Sequence, residues 1–147
     1  MKTASAVFLA LLCSALPGWA VLGGRVATVQ SDQAKMRGTL RSVVQQGYTV
    51  HQITGADGTI VKEFVSPDGV VFGISWRAKA MPVLSNLLGD YFTQFQAASK
   101  SAVRRRRGVV LRTSQLVVES GGHPRDFRGR AYVPALVPQN LTPAVIQ

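Results

Sequence analysis

Residues 48–76 have the sequence YTVHQITGADGTIVKEFVSPDGVVFGISW, which indicates an antiparallel sheet. Three runs rich in β-branched and aromatic residues are separated by short turns: residues 48–54, 59–66 and 70–76. Asp57-Gly58 and Pro67 belong to the two turns, because glycine accepts a positive φ and proline presets the first central turn position. The stretch therefore predicts three consecutive strands joined as a β-meander.

The third predicted strand is apolar on one side. Side chains alternate between the two faces of a strand. One face would carry Val70, Phe72, Ile74 and Trp76, and the other Val71, Gly73, Ser75 and Arg77. We expect the first of these faces to pack against another element.

A helix is predicted after Pro82, where apolar residues recur at helical spacing. The residues with this spacing are Leu84, Leu87, Leu88, Tyr91, Phe92, Phe95 and Ala98. The expected fold class is therefore α+β: an antiparallel sheet, made of the β-meander and a C-terminal hairpin, packed against one long amphipathic helix.

The remaining segments complete a single predicted domain over residues 34–147, which opens with a helical turn and a strand. Further strands are expected near residues 109–113, 115–119 and 127–133, followed by a proline-spaced C-terminal tail. The glycine-rich residues 21–33 precede this domain, and we expect them to be flexible.

The first 20 residues have the pattern of a cleavable signal peptide. Lys2 supplies a positive charge, residues 6–16 are almost entirely apolar, and small residues precede a cleavage site near Ala20. The apolar run is about half of the roughly 20 residues that span a bilayer, so no transmembrane segment is expected after processing. An N-terminal core helix is the alternative; a lipoprotein is disfavoured, because a bulky leucine precedes Cys13. The protein is therefore predicted to be periplasmic or secreted.

Composition narrows the partners of the mature chain. The formal net charge of the full chain is +10, which falls to +9 when Lys2 is removed with the signal peptide, and the single cysteine, Cys13, lies in that predicted peptide. A strongly basic exported domain favours anionic partners, namely an envelope polymer, a lipid head group or an acidic protein. Without a cysteine, the mature domain must be stabilised by packing alone.

Four segments together resemble a known family. They are GVVFGISW at residues 69–76, LLGDYF at 87–92, SGGH at 120–123 and GRAYVP at 129–134. In this order they resemble the exported bacterial family called domain of unknown function 2844, over nearly all of the mature chain. The resemblance implies a secreted bacterial protein, and it carries over no activity and no catalytic residues.

Ser120, His123 and Asp126 are the candidate catalytic residues, because they bring a hydroxyl, an imidazole and a carboxylate into one short segment. A nucleophile, its base and an orienting acid must meet in hydrogen-bond geometry, which neighbours on a tight loop rarely achieve. The segment also lacks the G-x-S-x-G elbow. A hairpin loop with polar caps and a recognition loop are the alternative interpretations.

Metal and nucleotide chemistry find no support in the sequence. The chain has two histidines, His51 and His123, and neither belongs to a ligand-spaced pair. No phosphate-binding loop and no dinucleotide fingerprint occur. We therefore predict no cofactor, no metal site and no nucleotide partner.

Arginine clusters are the candidate partner-binding residues. Arg104, Arg105, Arg106 and Arg107 form a run, and Arg125, Arg128 and Arg130 form a second group. Aromatic stacking platforms are missing beside the run, which argues against nucleic acid and leaves a solvated loop as the ordinary explanation. Strand alternation would place Asp126, Arg128 and Arg130 on one face, where they could bind phosphates or carboxylates.

These observations leave three functional hypotheses. The leading one is a non-enzymatic binding or accessory module for an anionic envelope component or an acidic protein. The second is a small hydrolase that uses Ser120, His123 and Asp126. The third is a structural subunit of an envelope assembly, whose apolar tail at residues 133–146 docks into a partner.

Overall fold

Eight antiparallel strands form one sheet in the structure, a computed structural model that describes residues 21–100, 103–105 and 108–147. The strands are β1 Thr39–Gln45, β2 Tyr48–Thr54, β3 Ile60–Val65, β4 Val71–Ala78, β5 Val103–Arg105, β6 Gly108–Arg112, β7 Val117–His123 and β8 Asp126–Tyr132. Their order across the sheet is β1-β2-β3-β4-β8-β7-β6-β5. Two four-stranded meanders are therefore joined through their last strands, and the antiparallel sheet of the expected fold class is confirmed.

The predicted single long helix is wrong. The described helices are short: α1 Val29–Lys35, α2 Leu84–Leu88 and α3 Tyr91–Ser99. Gly89 separates α2 from α3 with a φ of 49°, outside the range of a right-handed helix. A Cβ at position 89 would lie 1.9 Å from Cγ1 of Val21, so the chain turns here against the N-terminal segment. The apolar residues keep their helical spacing through α2 and α3, but the contact between Gly89 and Val21 breaks the helix between them.

A β-bulge at Phe72 changes the face assignment of β4. Val65 is opposite Val71 and Phe64 is opposite Gly73, which leaves Phe72 as an extra residue. Ile74 therefore packs with the cluster beneath the helices, whereas Phe72 packs in a second cluster. The prediction that Phe72 and Ile74 share one face is wrong, because the bulge interrupts the alternation between them.

One side of the sheet, here called the helix face, holds the larger core. Its buried residues include Ile74, Trp76, Val118 and Ala131, and Leu88 of α2 packs on them without exposed surface. The indole of Trp76 lies over Gly129, where a Cβ would come within 2.2 Å of its Cζ2. The glycine in GRAYVP therefore makes room for the tryptophan ring.

Residues 21–33, which we expected to be flexible, pack against the sheet in the structure. Leu22 and Val29 are both buried. The Gly23 N–H donates to the carbonyl of Val71 at 2.8 Å, and Arg25 forms a bridge with Val70. This segment helps to cover the helix face. The predicted signal peptide, residues 1–20, lies outside the described residues.

The opposite side of the sheet, here called the tail face, is partly covered by the C-terminal tail. Ile146 is fully buried in a cluster with Phe64 and Phe72. Gly73 leaves space for it, because a Cβ there would lie 2.6 Å from Cδ1 of Ile146. The apolar end of the tail thus packs on its own chain. No helix within the described ranges is long and apolar enough to cross a membrane.

Candidate functional site

A charged cleft lies on the tail face beside the C-terminal tail. It is open, has a volume of about 830 Å³ and crosses six neighbouring strands, β2-β3-β4-β8-β7-β6. Among the described residues, five with cationic side chains line it: Lys62, Arg77, Arg112, Arg128 and Arg130. Strand register brings them together from four strands, since residues directly opposite each other share a face.

Arg77 and Arg128 are held together by a carboxylate. The two arginines are directly opposite on β4 and β8, an arrangement that is unfavourable for like charges alone. Asp126 accepts a 3.0 Å hydrogen bond from Nε of each, and Nη2 of Arg128 donates at 2.9 Å. Hydrogen bonds from Arg128 and then from Arg77 lower the pKa of Asp126 below its ordinary value. The carboxylate is therefore ionised at neutral pH.

A second carboxylate joins Arg112 to Arg130. Glu119 on β7 accepts from Nε of Arg112 at 3.1 Å and from Nε of Arg130 at 2.8 Å. The hydrogen bond from Arg112, followed by that from Arg130, lowers the pKa of Glu119. Each carboxylate thus serves two arginines, and with Lys62 the cleft has more positive than negative charge.

The C-terminal tail supplies main-chain acceptors at one end of the cleft. Nη1 of Arg130 donates to the carbonyl oxygens of Pro143 and Ile146, each at 3.3 Å. Nζ of Lys62 donates to the main-chain oxygen of Gln147 at 3.0 Å. The cations of the cleft therefore contact two kinds of acceptor, side-chain carboxylates and main-chain oxygens.

The three candidate catalytic residues have separate partners in the structure. Ser120 is opposite Gly129 on the helix face, and its hydroxyl donates to the sulfur of Met81 at 3.7 Å. Asp126 lies on the tail face with the two arginines described above. His123 is exposed, and its Nδ1 lies 3.2 Å from the carbonyl oxygen of Pro124. Strand alternation thus separates the Ser120 hydroxyl from the Asp126 carboxylate.

The predicted arginine groups divide among different places. Arg128 and Arg130 share the tail face with Asp126, which confirms the alternation expected for this strand. Arg125 is exposed in the β7–β8 turn, at a φ of 75° and away from the cleft lining. Arg104 and Arg105 are residues of strand β5, and Arg106 and Arg107 lie outside the described residues.

Sequence reasoning missed Lys62, Arg77, Arg112 and Glu119 as members of this site. Arg77 gave a weak signal, since it falls on the less apolar face of a predicted strand. The pairing of β4 with β8 has no local signal, because the two strands are about fifty residues apart in the chain.

A second polar cluster lies on the helix face across β1, β2 and β3. Ser42 Oγ lies 2.7 Å from Nδ1 of His51, and His51 is opposite Glu63. Glu63 is 1% exposed, and its Oε2 has no hydrogen-bond partner among the described residues. Burial, together with the nearby charge of Asp32, raises the pKa of Glu63 to about 8. Burial lowers the pKa of His51.

The described part of the chain contains no group of three or more histidine, cysteine or acidic side chains that could hold a metal ion. A family model described as "Protein of unknown function (DUF2844)" matches residues 18–146, so the resemblance noted in the sequence is confirmed. No curated protein and no solved structure matches the chain.

Proposed function

The chain belongs to the DUF2844 family, and we propose that it is an exported, non-enzymatic binding module for an anionic envelope component or acidic protein. The charged cleft is the proposed binding site. The observation that carries the proposal is the imbalance of charge there, with five cationic side chains around the carboxylates of Glu119 and Asp126.

The arginines of the cleft are accessible to a ligand. The side chains of Arg77 and Arg128 are each 60% exposed, and that of Arg112 is 66% exposed. Exposed ion pairs contribute only about 0–1 kcal/mol, so an incoming anion can replace an internal carboxylate at little cost. Guanidinium groups also match carboxylates and phosphates in a bidentate geometry. The cleft is therefore suited to exchange its internal carboxylates for those of a ligand.

The two other hypotheses receive less support. A hydrolase would need the Ser120 hydroxyl near His123, whereas Ser120 contacts Met81 on the helix face. A subunit that docks through its apolar tail would need that tail to be free, whereas Ile146 is buried in its own chain.

Binding can be tested with the mature chain, residues 21–147, and three anionic probes: polyglutamate, polygalacturonate and vesicles that contain phosphatidylglycerol. At least one should be retained, and retention should fall from low to high salt, because the screening length shortens from about 10 Å at 0.1 M to about 3 Å at 1 M. Replacing both Arg77 and Arg112 by glutamine should weaken retention.

The matched control is Arg25→Gln, which removes an exposed charge outside the cleft, where the guanidinium donates to the main-chain oxygen of Asp68. This variant should bind like the parent. Retention that is insensitive to salt, or equal losses in the control and in the cleft variant, would overturn the proposal. Release of a product that depends on Ser120 and His123 would support the hydrolase instead.

A further inference from the structure

The cleft is elongated across the sheet. It extends over six neighbouring strands, from Gln52 on β2 to Arg112 on β6. Neighbouring strands are 4.7–4.9 Å apart, so five intervals give a length of about 24 Å. A single carboxylate or phosphate would fill a small fraction of that length. The dimensions therefore favour a linear ligand with several anionic groups.

The contacts inside the protein indicate which linear ligand fits. Arg130 donates to the main-chain carbonyl oxygens of Pro143 and Ile146 in the C-terminal tail. Arg77 and Arg112 donate to the side-chain carboxylates of Asp126 and Glu119. A polypeptide rich in aspartate or glutamate carries both kinds of acceptor, whereas an anionic polysaccharide or a lipid head group lacks the repeated main-chain carbonyl.

We propose that the cleft binds an extended acidic segment of a partner protein, about seven residues long. The length follows from the span of about 24 Å and the 3.3–3.6 Å that each residue of an extended chain covers. Side chains of an extended segment alternate in direction, so acidic residues at every second position would face the arginines. The inference rests on the proposed function and specifies its ligand.

Labelled peptides of alternating glutamate and serine test the length, at three, five, seven and nine residues. Fluorescence anisotropy at one fixed salt concentration should show affinity that rises up to about seven residues and then levels off. A seven-residue peptide of alternating glutamine and serine should bind about tenfold more weakly or worse, because it lacks the carboxylates.

Substitutions at the two ends of the cleft sharpen the test. Lys62 on β3 and Arg112 on β6 are separated by four strand intervals, about 19 Å. Lys62→Gln and Arg112→Gln should each weaken binding of the seven-residue peptide, because this peptide can reach both ends of the cleft. The three-residue peptide covers about 10 Å and should lose affinity in at most one of them. Unchanged thermal melting would show that the variants remain folded, and Arg25→Gln is the control.

The outcomes separate this inference from the proposed function. Cleft-dependent binding of polygalacturonate or vesicles, without length dependence for the peptides, would refute the acidic-peptide ligand and leave the anion-binding function standing. No response of any anion to the cleft substitutions would refute both. Peptide affinity that increases with length and depends on both ends of the cleft would support the acidic segment.

Discussion

Glu63→Gln should stabilise the protein at neutral pH. Glu63 is buried under α1 beside Asp32, and its pKa is raised from 4.5 to about 8. Folding therefore takes up a proton between these two values, so the free energy of unfolding falls as the pH rises from about 4.5 to about 8 and levels off above that. pH 7 lies 2.5 units above 4.5, and each unit costs about 1.36 kcal/mol, so the buried carboxyl lowers the free energy of unfolding at pH 7 by about 3 kcal/mol.

Glutamine has nearly the shape of glutamic acid and requires no proton. The variant should therefore gain about 3 kcal/mol over the parent at pH 7 and almost nothing at pH 4, where the parent carboxyl is protonated in both states. Urea denaturation of both proteins at each pH unit from 4 to 8 measures this difference. His51, which is opposite Glu63 on β2, is present in both proteins, so its contribution to the stability profile cancels in the comparison.

The control is Glu119→Gln, which removes a carboxylate whose pKa is lowered rather than raised. This variant should show no gain in stability at pH 7, because its parent group is already ionised and paired with Arg112 and Arg130. Parallel stability profiles for the parent and Glu63→Gln between pH 4 and pH 8 would refute the assignment of a buried neutral carboxyl. A loss of stability in Glu63→Gln at pH 7 would refute it too.

Four further outcomes are expected. In urea melts, Leu88→Ala should lower the free energy of unfolding by about 2–5 kcal/mol, because it removes a buried side chain. Gln94→Ala, on the exposed side of α3, should change it by less than about 0.5 kcal/mol. Equal losses in the two variants would contradict the described core. Arg125→Gly should raise the free energy of unfolding by about 1 kcal/mol in urea melts, because glycine adopts the positive φ of this position without strain; it should leave anion retention unchanged. Glu119→Gln should strengthen anion binding at low salt, since it removes a competing carboxylate; weaker binding would oppose the proposed exchange. Mass spectrometry of the native protein should find an N-terminus near Val21, and an intact Met1 on most molecules would contradict export.

Local patterns in the sequence were sufficient for much of the sheet. The strand predicted at residues 48–54 has the same bounds as β2, because its alternation and its flanking turns are both local features. Alternation also placed Asp126, Arg128 and Arg130 together, since residues two apart on a strand share a face. The antiparallel sheet and the basic face of its last strand could therefore be predicted from the sequence.

Tertiary structure alone decided three other features. Gly89 divides the helix because it approaches Val21, which is distant in sequence, and no pattern within residues 82–98 records that contact. Phe72 moves to the tail face because β4 bulges against β3. Arg77 joins Arg128 because β4 pairs with β8, and this pairing assembles the cleft. Periodicity reports which face of its own element a residue occupies, whereas the neighbour across that face depends on contacts between distant parts of the chain.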